Sequence, residues 1–422
     1  MSRVALLCSE PLGERVAGIG LRYLELARRL PRCGVEVDLV CPGEREALAM
    51  LEQALGGGVR VTPFERGRLG ELLAGDRAVV AQGQLANDLL AECPHLPTAI
   101  DLYDPWLVEN LHYHSTLGLD PYRNDHATWV RQLSAGDFFL CSSEEQRQYY
   151  LGFLTAVGRI NPRSIEADPD AARLIAIAPF GVPDELPEHR PVLPPREAGE
   201  RLLLFGGLYD WYDPWTLLEA VVAADRAAWR VLFIRGAFSD TPQSLLRRVE
   251  TWCRERGLWG TRVCALDWVP HERRYDLLRD VDLLVATHRV GLETRLSLRT
   301  RFLDALAAGC PVVSTEGGTV SRLLEERGAG WVVPERDPQA LVGALEAALD
   351  PARREARVVR GLELAREFRW SLVIEPVARF CRDPWRDPTK AEFAVRLPTR
   401  APADRLGFRL RRRLRRLLKA AS

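Results

Sequence analysis

The 422-residue sequence predicts an α/β fold built from two doubly wound domains. Three observations carry that expectation. Short runs rich in Val, Ile, Leu and Phe alternate with segments whose apolar residues recur at helical spacing, the pattern of a parallel sheet covered on both faces. The alternation stops at a Pro-rich, charged stretch near the middle of the chain and restarts after it. The length also exceeds what one ordinary core holds and suits two.

The first strand is "RVALLCS", followed by the turn-rich loop "EPLGERVAGIG" and the helical "LRYLELARRLPRCG" with its glycine stop. "VEVDLVCP", "AVVAQG", "TAIDLYD" and "DFFLCSS" supply four further strands. "FGVPDELPEHRPVLPPREAGE" has no periodic apolar pattern and reads as a linker over 184–200, closing a first domain of 1–183. Beyond it, "RLLLFGG", "WRVLFIRG", "TRVCALDW", "VDLLVATH", "CPVVST" and "GWVVP" are the strands of a second domain over 201–368.

Composition narrows the function classes. Apolar residues make up 47% of the chain, and 58 cations balance 58 anions, which excludes disorder and bulk attraction to nucleic acid. No apolar run is long enough for a membrane span, and the opening apolar stretch is too short for a signal peptide, so a cytoplasmic protein is expected. Nine cysteines lack paired or metal-ligand spacing, so neither disulfides nor a metal site are expected. Residues 386–422 form an extension that ends in "RLGFRLRRRLRRLLKAAS", with Leu406, Leu410, Leu414 and Leu417 at helical spacing among cations. This tail reads either as a docked or disordered terminus, or as an amphipathic helix making peripheral contact with anionic lipid on the inner face of the membrane.

The chemistry concentrates in "ETRLSLRTRFLDALAAGCPVVSTEGG", Glu293 to Gly318. With Ser297 as N-cap and Gly309 as stop, a helix is expected over about Leu298–Ala308. Ser297, Thr300, Arg301 and Asp304 then share one face, while Leu298, Phe302, Leu303 and Leu306 turn to the sheet. Arg299 and Arg301 lie where the helix dipole repels cations. A phosphate resolves the conflict, because amides, dipole and guanidinium then act on one anion, and Asp304 is free to accept from ribose hydroxyls. An Arg301–Asp304 surface pair is the plainer alternative. Two glycine loops follow other strands: Gly206 and Gly207 with Trp211 as a pocket wall, and Glu316, Gly317 and Gly318 before the next helix. Open α/β sheets place ligands at this carboxyl edge.

The order of these segments, from "VAGIGLRYLELARRL" through "PFGVP" to "LDALAAGCPVVSTEGG", resembles the GT-B glycosyltransferases, specifically the retaining family 4 type. "ETRLSLRTRFLD", "CSSEEQRQYYLGFLTAVGRINP" and "DLYDPWLVENL" are similar to a bacterial subgroup of it. The resemblance implies two Rossmann-like domains facing across a cleft and a nucleotide sugar held by the second. It also implies a helix over 369–385 crossing back to the first domain. No cofactor or metal is implied beyond the nucleotide diphosphate sugar itself. The second partner is a hydroxyl acceptor, either a lipid-linked or soluble glycan or a small molecule, as in polysaccharide assembly.

The family's donor pattern is a pair of spaced glutamates; Asp304 matches the second, whereas Leu296 stands at the first and Glu293 is the candidate replacement. The family's arginine and lysine after the first donor-domain strand are missing from "GGLYDWYDPW", which leaves Arg299 and Arg301 to neutralise phosphate. In the first domain, Gly18, Gly20 and Arg22 form the implied phosphate and acceptor loop. Asp101 and Asp104 are the catalytic candidates there, alongside Glu293 and Arg301. Glu144, Gln146 and Arg147 are weaker candidates for an acceptor pocket, and His112 and His114 read as structural. Two alternatives share the sequence features: a nucleotide-sugar epimerase, and a non-catalytic sugar-nucleotide-binding subunit.

Overall fold

A computed structural model describes residues 2–13, 15–113, 118–236 and 244–395. The chain divides into two compact units, one of Met1–Leu12, Arg22–Ala178 and Pro376–Ser422, the other of Gly13–Leu21 and Pro179–Glu375.

The first unit is built on a seven-stranded sheet in the order β3-β2-β1-β4-β5-β6-β7. Its strands are β1 Ser2–Leu7, β2 Val35–Cys41, β3 Val59–Pro63, β4 Val79–Ala81, β5 Thr98–Asp101, β6 Phe138–Cys141 and β7 Ile175–Ile177. The second unit has six strands in the order β10-β9-β8-β11-β12-β13. These are β8 Arg201–Phe205, β9 Trp229–Ile234, β10 Val263–Leu266, β11 Leu283–Ala286, β12 Val312–Thr315 and β13 Trp331–Val333. Every pairing in both sheets is parallel.

Parallel sheets bury both faces, which is why these strands read as unbroken apolar runs rather than alternating ones. Along β8, Leu202 and Leu204 pack into one core with Leu284, Val312 and Phe302, while Leu203 and Phe205 enter the opposite core with Val231, Leu283 and Val313. The strand order reverses between β1 and β4 in one sheet and between β8 and β11 in the other. At such points adjacent loops diverge and leave a crevice at the carboxyl edge.

Two readings change. Strands β3 and β7 escaped the sequence reading; both lie at sheet edges, and β3 carries Arg60 and Pro63. The helix expected over Leu298–Ala308 runs over Thr300–Ala307, after a separate short helix Leu292–Leu296. The Pro-rich stretch is held by hydrogen bonds: the amides of Val192 and Leu193 donate to Asp280 at 2.6 and 2.9 Å, and that of Arg190 to Asp276 at 3.0 Å.

Within the first unit, the helix Glu375–Arg382 and the segment after it pack at the amino end of β6. Phe380 stacks on Phe138 with ring centroids 5.4 Å apart, and Trp385 meets Phe138 edge-on at 4.9 Å. Arg159, fully buried, pairs with Asp387 at 2.7 Å. The basic tail beyond residue 395 lies outside the described residues, as does His114. Among the described residues no helix is long and apolar enough to cross a membrane, and no cluster of His, Cys, Asp and Glu could hold a metal ion.

Candidate functional site

The loops leaving β8, β11 and β12 in the second unit meet where the strand order reverses. Gly206 follows β8 directly; its amide donates to Val285 at 2.9 Å, and an added Cβ would meet that of Ala286 at 3.1 Å. Gly207 adopts φ +156°, where an added Cβ would come within 2.9 Å of the Arg301 guanidinium. Only glycine suits that position. Arg301 itself donates to the carbonyl of Gly206. Asp213 ties the same loop to β11, its amide donating to Thr287 at 2.9 Å.

A cavity of about 170 Å³ opens here, lined by Gly206, Tyr209, Trp268, Arg274, Thr300, Arg301 and Asp304 among others. The polar face expected of the helix therefore does line a cavity. Arg301 and Asp304 nevertheless look to other partners than each other. Asp304 accepts from the Tyr275 hydroxyl and from Arg274 Nε at 3.3 Å, and Arg274 also donates to Tyr275 at 3.1 Å. Burial and the adjacent Asp304 charge push the Tyr275 hydroxyl well above its ordinary pKa. Tyr275 and Arg274 were missed because they lie about thirty residues before Asp304 on a different helix, a proximity that no local spacing encodes.

Arg299 departs from the expected phosphate contact. Its guanidinium is buried, donates to Glu293 at 2.9 Å and lies 4.7 Å from the Tyr212 ring centroid. Glu293 is equally buried, and its other oxygen accepts from Ser297 at 2.7 Å. The Ser297 hydroxyl is thus held by Glu293 instead of capping the helix, which explains the later helix start. The repulsion expected between Arg299 and the helix dipole is met by a carboxylate from the protein itself. Beneath this pair, His288 is buried and its Nε2 lies 3.2 Å from the carbonyl of Glu316. Burial, reinforced by the Arg299 charge, lowers its pKa to about 3, so the ring stays neutral. Gly317 has φ +91° and packs against Val290, while Gly318 caps the helix Thr319–Glu326; the Glu316 side chain is exposed. Trp211 stacks flat on Tyr209, with centroids 4.8 Å apart.

The helix Gly18–Arg29 carries Gly18 and Gly20 in its opening turn, which belongs to the second unit, and Gly18 lines the cavity there. Arg22 does not face solvent as a phosphate-loop cation would. It is fully buried and forks onto Asp101, with Nε–Oδ2 at 2.6 Å and Nη2–Oδ1 at 3.1 Å. It also donates to the Ala178 carbonyl at 2.9 Å and lies over the Tyr103 ring. Asp101 is committed to that pair. Asp104, just beyond β5, accepts from Gln82 Nε2 at 2.5 Å, and burial beside the Asp101 charge raises its pKa to about 7. Gln146 is buried and donates to the Tyr103 carbonyl at 3.0 Å, so it braces this loop from within the fold. Glu144 and Arg147 pair loosely at 3.7 Å on the helix surface. His112 is exposed.

Among solved structures, a sucrose-phosphate synthase from Thermosynechococcus elongatus superposes with a TM-score of 0.64 at 18% identity, over 90% of this chain and 98% of that one. Anabaena HepE in complex with UDP-glucose matches with a TM-score of 0.61 at 15% identity, over 90% of this chain and all of that one. The chain has the GT-B fold. A family model for group 1 glycosyl transferases matches residues 199–350, and so falls within the second unit of this GT-B chain. A phosphatidyl-myo-inositol mannosyltransferase of Mycobacterium leprae is 37% identical over 78 residues, 18% of this chain and 21% of that protein. The chain thus aligns with about a fifth of that curated relative's length.

Proposed function

We propose that the protein is a glycosyltransferase that moves a hexose or related sugar from a nucleotide diphosphate donor to a hydroxyl acceptor, with retention and without a metal ion. The observation that carries this reading is the cavity beside β8, where Gly206, Arg274, Thr300, Arg301 and Asp304 converge inside the segment matched by the group 1 model. In this reading Arg301 and the amides at the start of its helix neutralise the diphosphate. Asp304, oriented by Tyr275, accepts from the ribose. Glu293 and Arg299 hold the floor of the site, a positioning role that the buried ion pair supports.

The bond from the anomeric carbon to the diphosphate oxygen breaks as the acceptor oxygen bonds to the same carbon on the same face. The acceptor's proton passes to the departing diphosphate. Of the two aspartates at and just beyond the end of β5, Asp104 is the one left to orient the acceptor hydroxyl, since Asp101 is neutralised by Arg22. Charge on the leaving group is the main requirement, so Arg301→Ala should lower turnover by about 10²-fold in a folded protein. The test is a screen of nucleotide diphosphate sugars by thermal shift, followed by mass spectrometry of products with the best binder. A glycosylated acceptor supports transfer. A new sugar nucleotide would identify an epimerase, and binding with no product a non-catalytic subunit.

A further inference from the structure

On the second unit, outside the cavity just described, an open groove of about 770 Å³ runs along the helices Pro214–Ala224 and Ser244–Glu255. Two half-buried tryptophans, Trp215 and Trp252, form its apolar wall with ring centroids 6.2 Å apart. Arg247, Arg248 and Arg289 line it as well. All three are exposed, and among the described residues none has an ion-pair or side-chain hydrogen-bond partner; Arg248 only rests 5.4 Å from the Trp215 centroid. Nearby arginines differ: Arg254 is held by Glu250 at 2.6 Å and Arg256 by Glu255 at 3.5 Å.

We propose that this groove binds an acidic saccharide chain, one bearing carboxylate, sulfate or phosphate on its sugar rings. A pyranose presents an apolar C–H face that an indole covers and a rim of polar groups that guanidinium, carboxylate and hydroxyl side chains reach. Thr251, Ser244 and Glu219 supply the neutral and acceptor groups along the rim. Three guanidinium groups against Glu219 and Glu255 leave the lining positive by one charge, which favours an anionic ring over a neutral one. The groove is continuous with the loop after β8, because Ser244 Oγ lies 3.3 Å from Asp210, next to Tyr209 of the donor cavity. A chain seated here would be held beside the loop that reads the donor. As a holding site for acceptor or product the groove rests on the glycosyl-transfer reading; as a binding site it does not.

The test is calorimetric titration of the full chain, without nucleotide, using oligogalacturonate, neutral maltotetraose, and phosphatidylglycerol vesicles. Oligogalacturonate should bind more tightly than maltotetraose, and Arg247→Glu combined with Arg248→Glu should weaken it about tenfold or more, the scale of losing one charge-assisted contact. The same variant should keep the parent's melting temperature and far-ultraviolet circular dichroism, which verifies its fold, and Arg247→Gln with Arg248→Gln should repeat the loss in milder form. Failure to bind oligogalacturonate, equal affinity for maltotetraose, or unchanged affinity in both variants would overturn the proposal. So would binding to vesicles alone that the charge reversal abolishes, which would mark a membrane-facing surface instead.

Discussion

Replacing Glu293 by alanine removes the counter-charge of Arg299. Arg299 is 8% exposed, and in the native fold its guanidinium is 2.9 Å from Glu293. Removing one partner of a buried ion pair typically costs about 3–5 kcal/mol, because the remaining charge stays desolvated. The Tyr212 ring 4.7 Å away faces Arg299 in parent and variant alike, so it leaves that difference unchanged. A loss of about 3–5 kcal/mol is therefore expected, which lowers the melting temperature of a unit of this size by about 6–20 °C. Removing both charges in Glu293→Leu with Arg299→Met should restore most of it, since no buried charge remains. Urea titration followed by far-ultraviolet circular dichroism measures both variants. A single variant within about 1 kcal/mol of the parent, or a double variant as unstable as the single, would refute the ion-pair argument.

Three other outcomes follow from the same geometry. Asp104 holds its proton up to about pH 7 in the native state but releases it near pH 4 when unfolded, so stability should fall as pH rises through that window. Asp104→Asn should flatten that slope, and in the proposed reaction it should also remove a rise in rate near pH 7. His288 has the opposite sign: with a native pKa of about 3, its contribution is complete above about pH 6.5 and is lost as pH falls towards 3, so His288→Gln should reduce acid sensitivity in urea titrations across that range. Gly207→Ala should weaken nucleotide binding by about tenfold with little change in secondary structure, because its Cβ would meet Arg301 at 2.9 Å in a backbone conformation that favours glycine; calorimetry of the variant checks it.

The parts of this protein that were legible from sequence are those written in local pattern. The six strands of the second sheet each stood out as an apolar run, and the central ones are buried on both faces, as "RLLLF" over β8 illustrates. Thr300, Arg301 and Asp304 were placed together by helical spacing alone, and they do line one cavity. What spacing could not supply was the partner of each charge. Arg22 looked like an anion-seeking cation because Asp101, its partner, is 79 residues away. Arg299 looked the same because the chain turns between Leu296 and Thr300, bringing Glu293 back onto it. Tyr275 and Arg274 gave no signal at all, since an arginine and tyrosine on an amphipathic helix are ordinary until Asp304 is seen beside them.

The central claim is that the second unit holds a nucleotide diphosphate with Arg301 on its phosphates. Calorimetric titration of UDP and GDP into the parent protein and Arg301→Ala tests it most directly. One of the two nucleotides should bind at a single site, and the variant should bind it at least about tenfold more weakly while keeping its melting temperature. Parent protein that binds neither, or a variant that binds as well as the parent, would contradict the account.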